Sequence, residues 1–177
     1  MNSVKKLSPN SLSFIALANE YCNAIEGVVG NERDEFVASM LKLLPRIYIV
    51  AGDLEQDLAY SDYDIMPALE EETYNQVRDL VSQIMAEEDV YLEVFVEDMK
   101  YSDMPIASSI SENLADLYQE FFNFIATVKD ATFEAQQEVI GLCKANFRNY
   151  WGQTLCNVLR ALNTVFYNPS AQNENLY

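Results

Sequence analysis

The segment from Phe133 to Tyr167 constrains this chain most, because its apolar residues recur at helical spacing for thirty-five residues. Phe133, Ile140, Cys143, Phe147, Trp151, Leu155, Val158, Leu162 and Val165 follow one another at steps of three, four or seven. Such steps stack side chains on one side of a 3.6-residue helix, and a stripe that long must be covered by other elements. The segment therefore predicts one long amphipathic helix that acts as the spine of a helical domain. A second row, Gly141, Ala145, Gly152 and Cys156, is made of small residues. On a helix it predicts a close approach by a neighbouring backbone, against the plainer reading that each glycine is tolerated at about 1 kcal/mol.

The rest of the chain supplies the cover. Ser8-Pro9 opens a first helix whose face is Phe14, Ala18, Tyr21, Cys22 and Ile25, ending near Gly27. That continuing pattern assigns the short apolar run Leu12–Leu17 to this helix, not to a signal peptide. Asn31 is placed to cap a second helix with Phe36, Val37, Met40, Leu41 and Leu44 as its stripe, kinked or restarted at Pro45 and stopped at Gly52. A third is expected over about Ala68–Glu88. Tyr91–Val96 alternates like a strand but shows no partner, so an extended segment or short helix is expected there. Met99–Ala107 reads as a loop. Ser109 and Glu112 form a capping box for a fourth helix through Val128, and Thr132 caps the spine. The predicted fold is all-α: a single-domain antiparallel bundle of about five helices around the long C-terminal helix, over residues 1–168, with 169–177 as a polar tail.

Charge is the strongest guide to function. The chain has 177 residues, 28 of them acidic against 11 basic, for a formal net charge of −17. Between Asp53 and Asp103 sixteen acidic residues face two basic ones, Arg78 and Lys100, so this segment carries −14 of the −17. The acidic surface is expected to include Asp53, Glu55, Asp57, Asp62, Asp64, Glu70, Glu71, Glu72, Glu87, Glu88 and Asp89. Phosphate backbones and anionic membrane surfaces are repelled by such a chain, which argues against direct nucleic-acid or membrane binding. No run approaches the roughly 20 apolar residues of a membrane span. A basic protein partner would be steered to the acidic region.

Catalytic and metal chemistry finds little support. Histidine is absent, which removes His-based triads, His-containing zinc sites and the Glu-x-x-His di-iron pattern. The alternating carboxylates after Asp53 and Asp62 begin like EF-hand loops, but Leu58 and Pro67 stand where glycine is needed. No metal or cofactor is expected. Cys22, Cys143 and Cys156 are widely spaced and read as small core residues of a reducing, cytoplasmic compartment. Glu112, Asp116 and Glu120 lie four apart and read as a solvent face. Arg148 is placed near the small-residue row, where partial burial would demand a carboxylate from Glu20, Glu26 or Asp116, with Arg46 and Arg160 as weaker cases. Glu20, Glu26, Arg46, Tyr48, Asp116, Arg148 and Trp151 are accordingly the ligand or structural-network candidates.

Several short motifs carry a resemblance. FRNYWG at Phe147–Gly152 and LRALN at Leu159–Asn163 are similar to the end of an uncharacterised family of small bacterial proteins of Bacteroides-type bacteria, known only as a domain of unknown function. NLADLY at Asn113–Tyr118, LPRIY at Leu44–Tyr48 and YCNAIE at Tyr21–Glu26 resemble its other motifs. The family pattern has His near the Trp-Gly pair, where this chain has Tyr150 and Gln153. The resemblance implies a soluble helical domain and transfers no catalytic role. The leading expectation is a non-enzymatic interaction or regulatory module whose acidic surface meets a basic partner. The alternatives are a small-ligand binder or enzyme with a pocket near Glu26, Arg148 and Trp151, and a nucleic-acid mimic.

Overall fold

The computed structural model describes residues 5–55, 63–93 and 106–168, and these share one hydrophobic core. Helix α1 (Pro9–Glu26) starts as the sequence predicts: Ser8 Oγ accepts from the Ser11 N–H at 3.1 Å, with Pro9 in the first turn. Gly30, at φ +86°, provides the left-handed residue that lets the chain reverse. Helix α2 (Arg33–Gly52) begins two residues after the expected cap, because the Asn31 side chain donates back to the Gly27 carbonyl instead. It runs through Pro45 without restarting. An internal proline costs about 3 kcal/mol, and burying Leu43, Leu44, Ile47 and Ala51 around it outweighs that at roughly 1.5–3 kcal/mol per large side chain.

Helix α3 (Glu71–Met85) is shorter than expected at both ends and passes into a 3-10 turn, Ala86–Asp89. That turn brings Asp89 back against the first turn of α4 (Ile110–Lys129), where its carboxylate accepts from the Ser111 N–H at 2.8 Å and the Ser111 hydroxyl at 2.7 Å. Ser109 caps the same end, accepting from the Glu112 N–H at 3.0 Å. A carboxylate at a helix N-terminus is favoured by the exposed N–H groups and the helix dipole. Asp89 is buried by this role and leaves the acidic surface to which its sequence neighbours assign it.

Tyr91 falls in a true strand. Strand β1 (Val90–Glu93) pairs antiparallel with β2 (Ile106–Ser109), in the register Val90↔Ser109 to Glu93↔Ile106. The partner takes in the end of the segment expected as loop, Ile106 and Ala107, together with Ser108 and the helix-capping Ser109.

The expected spine is interrupted. Helix α5 (Phe133–Asn146), capped by Thr132, leads into a π-helical turn, Phe147–Trp151, and then α6 (Gly152–Tyr167). The Gly152 N–H reaches the Phe147 carbonyl, five residues back. The apolar stripe explains the extra residue. Cys143, Phe147, Trp151 and Leu155 follow at three successive steps of four, and twelve residues of an ideal α-helix overshoot whole rotations by about 120°. One inserted residue removes about 100° of that and returns Leu155 to the buried side. All four are buried.

Among the described residues the fold is thus an all-α domain of five helical rods, the last interrupted by the π turn, with one two-stranded ribbon. Helix α4 packs against α1, α3, α5 and α6, while α6 also covers α2. The C-terminal rod enters the centre of the core at Trp151, which meets Phe14, Phe121 and Phe147 at ring-centroid distances of 6.1, 5.1 and 4.8 Å. The small-residue row does not form a packing face: Gly141 and Gly152 are buried, Ala145 is half-buried and Cys156 is exposed. Cys156 is therefore not a core residue, unlike Cys22 and Cys143.

Candidate functional site

The candidates read from the sequence separate into three places. On the α1–α2 face, Arg46 Nη1 meets Glu20 Oε1 at 2.9 Å, beside a groove of about 420 Å³ that Leu17, Ile49 and Val50 also line. Both partners are about half exposed, so the pair adds under about 1 kcal/mol to stability. Tyr48 is exposed and rests its ring edge on Phe147. At the far end of α1, Glu26 accepts from the Tyr118 hydroxyl at 2.8 Å. Burial, then Glu26, pushes the Tyr118 phenol up. Arg148 is exposed, not drawn inward as expected, and Trp151 is fully buried. Trp151 therefore presents no surface to a ligand.

The third place joins Asp116, a candidate from the sequence, to Glu120, which the sequence reads as part of a solvent face. Asp116 and Glu120 lie one turn apart on α4, between α3 and the C-terminal rod, and both are half-buried. Asp116 Oδ1 accepts from the Tyr74 hydroxyl of α3 at 2.8 Å, and Glu120 Oε2 from the Asn146 amide of α5 at 3.4 Å. Tyr150, on the π turn, sits close enough that burial, then Asp116 and Glu120, push its phenol up to about 12. Burial and Asp116 also raise the Glu120 carboxyl above the usual carboxylate range, against the Asn146 hydrogen bond. The row of acids was visible in the sequence, but its flanking residues Ala115, Leu117 and Phe121 carried the signal that part of it is buried.

This cluster offers acceptors and phenols. Among the described residues no group of three or more His, Cys, Asp or Glu side chains is arranged to hold a metal ion. Its chemistry suits a basic or hydrogen-bond-donating guest. Because Glu120 has a raised folded pKa, its ionisation costs folded-state stability as pH rises through that value, and the cost is relieved on acidification. Glu120→Gln keeps an acceptor for Asn146 and removes that cost. The variant is expected to melt higher than wild type at pH 7, by a margin that shrinks as the pH falls through the carboxylate range. A margin independent of pH would count against the partly desolvated carboxylate.

The acidic segment lies mostly in solvent. Asp53, Glu55, Asp64, Glu70, Glu71, Glu72 and Glu87 are exposed and Glu88 is half-buried. Asp57 and Asp62 lie outside the described residues, as does the tail 169–177. Glu70, Glu71 and Glu72 stand at the N-terminus of α3, where its dipole favours them. Asp64 lines the cavity of about 620 Å³ between the 63–68 segment and the α4–α5 corner, with Met66, Thr127, Asp130 and Val139. No described helix is long and apolar enough to cross a membrane.

Residues 5–168 match the family described as a domain of unknown function, DUF5063. The chain belongs to this family. The crystal structure of protein BF1032 from Bacteroides fragilis is similar at 33% identity and a TM-score of 0.81. The match covers 93% of this chain and 97% of that one. The resemblance read from the sequence thus holds at the level of the DUF5063 family. No curated protein matches the chain.

Proposed function

We propose that this DUF5063 domain is a non-enzymatic interaction module that receives a basic protein partner on the acidic surface of its middle segment. The observation that supports this reading is the way α3 and its flanks hold their charge. Asp53, Glu55, Asp64, Glu70, Glu71, Glu72, Asp79 and Glu87 are exposed, and the opposing Arg78 is engaged by Asp79 at 2.9 Å. The half-buried Asp116 and Glu120, with Tyr74 from α3 itself, extend acceptor chemistry from that surface into the fold. A lysine or arginine entering there would meet carboxylates already oriented by Tyr74 and Asn146, which lowers the ordering cost of the contact.

The experiment is capture of partners from cells of the source organism at low and moderate salt, using wild type and the Glu70→Gln/Glu71→Gln/Glu72→Gln variant. A basic protein held stoichiometrically at low salt, released as salt rises and released by the triple variant, is the expected result. Capture unaffected by both salt and the triple variant would refute the electrostatic reading. A small-ligand or enzymatic role around Glu26, Arg148 and Trp151 has less support, because Trp151 has no exposed surface.

A further inference from the structure

We propose that the cleft between the β ribbon and α6 binds a small organic monocarboxylate with a compact apolar body, its carboxylate held by Arg160. The cleft measures about 370 Å³ and is lined by Tyr91 and Leu92 of β1, Ile110 at the start of α4, and Arg160, Ala161 and Val165 of α6. That volume lies at the small end of the range for ligand sites, enough for a branched chain or single ring. Its floor is apolar, since Ile110 is fully buried and Ala161 nearly so. Leu92 is 55% exposed at the wall, an apolar surface that a ligand body would cover.

Arg160 supplies the polar end. Among the described residues Arg33, Arg46 and Arg78 lie against Asp34, Glu20 and Asp79, whereas the Arg160 guanidinium has no ion pair or hydrogen bond to a described side chain. Burial pushes the Tyr91 phenol up, and Arg160 lies close enough to oppose part of that rise. In a chain of −17 net charge, a guanidinium left over an apolar cleft is the group a carboxylate would engage, by two parallel N–H donations. Other charges in the neighbourhood set the limits of the ligand. Glu88 also lines the cleft, and Glu93, on the same face of β1 as Tyr91, accepts from Asn157 of α6 at 3.3 Å. These carboxylates oppose a second negative charge, so the site selects a monoanion over a phosphate or dicarboxylate. The Thr164 hydroxyl at the cleft edge is committed to the Arg160 carbonyl at 3.2 Å, which leaves Arg160 as the main anion donor.

The test is an amide-resolved NMR titration of the full chain with 4-methylpentanoate and with its neutral isostere, 4-methylpentanamide. The acid is expected to shift amides of residues 90–92 and 160–165, with a dissociation constant of order 1 mM for a ligand of this size. The neutral isostere is expected to bind about tenfold more weakly. Arg160→Gln should abolish the difference between acid and amide while leaving the thermal midpoint unchanged, since Arg160 is exposed. Arg160→Lys should retain part of the acid preference. Equal binding of acid and amide, an unchanged acid response in Arg160→Gln, or no shifts with either probe would each overturn the proposal.

Discussion

Gly152→Ala is expected to lower the unfolding free energy by about 2–3 kcal/mol, the cost of forcing an extra methyl into filled space. The sign is the informative part. In an ordinary helix interior the same change stabilises by roughly 0.5–1 kcal/mol, because alanine gives up less backbone entropy. At Gly152 an added Cβ would stand 2.5 Å from the Phe147 carbonyl oxygen and 2.8 Å from the Phe147 ring. The close approach that the small-residue row suggested is therefore within one rod: the π turn brings the carbonyl of residue 147 against residue 152. Relief requires moving either backbone or the Phe147 ring, which is packed on Trp151 and Tyr48. Gly52→Ala is the control, since a Cβ at Gly52 meets nothing within 4 Å, and it should be neutral or slightly stabilising. Urea denaturation of both variants decides the matter. A Gly152→Ala protein at least as stable as wild type would mean that the π turn is not enforced by this contact.

Trp151→Ala is expected to be costlier still, at about 3–5 kcal/mol. Trp151 is fully buried where three helical rods meet, with Phe14 of α1 stacked at 24° and Phe121 of α4 edge-on at 90°. Truncation would leave a void lined by aromatic rings that cannot close it without moving α1, α4 and the π turn together. For a domain whose total stability is of order 5–15 kcal/mol, that loss is a large fraction. Trp151→Phe separates the two properties of the indole. It keeps an aromatic ring and removes an Nε1–H that is buried without a hydrogen-bond acceptor among the described residues. Discarding an unsatisfied donor offsets part of the lost packing, so the phenylalanine variant should lie within about 2 kcal/mol of wild type. Chemical denaturation of the pair tests this. Similar, small losses for both would show that the centre of the core tolerates collapse.

The two variants also show how far local pattern reaches. The successive steps of four from Cys143 to Leu155 were present in the sequence, and their drift against a 3.6-residue repeat is the trace of the π turn. Periodicity at that resolution still reads as one helix, because the hydrogen-bond shift involves a single residue. The Arg46–Glu20 pair and the Tyr74–Asp116 and Tyr118–Glu26 contacts join residues 26 to 92 positions apart. No local signal pairs such distant positions, and the partial burial that local pattern predicts for Arg148 gives way to an exposed position in the fold.

What the sequence determined by itself is local: the Ser8, Ser109 and Thr132 caps, the stop at Gly52, the buried stripes and hence an all-α class, and a charge concentrated between Asp53 and Asp103. Each follows from spacing or from side-chain-to-backbone bonding within a few residues. The tertiary structure decided the rest. It turned Asp89 inward to cap α4, paired β1 with a strand of no visible pattern, set Glu120 between α4 and α5, and left Arg160 over an apolar cleft. Those outcomes depend on which surfaces meet across long chain separations, and burial changes the chemistry of a carboxylate or a guanidinium only once that meeting has occurred.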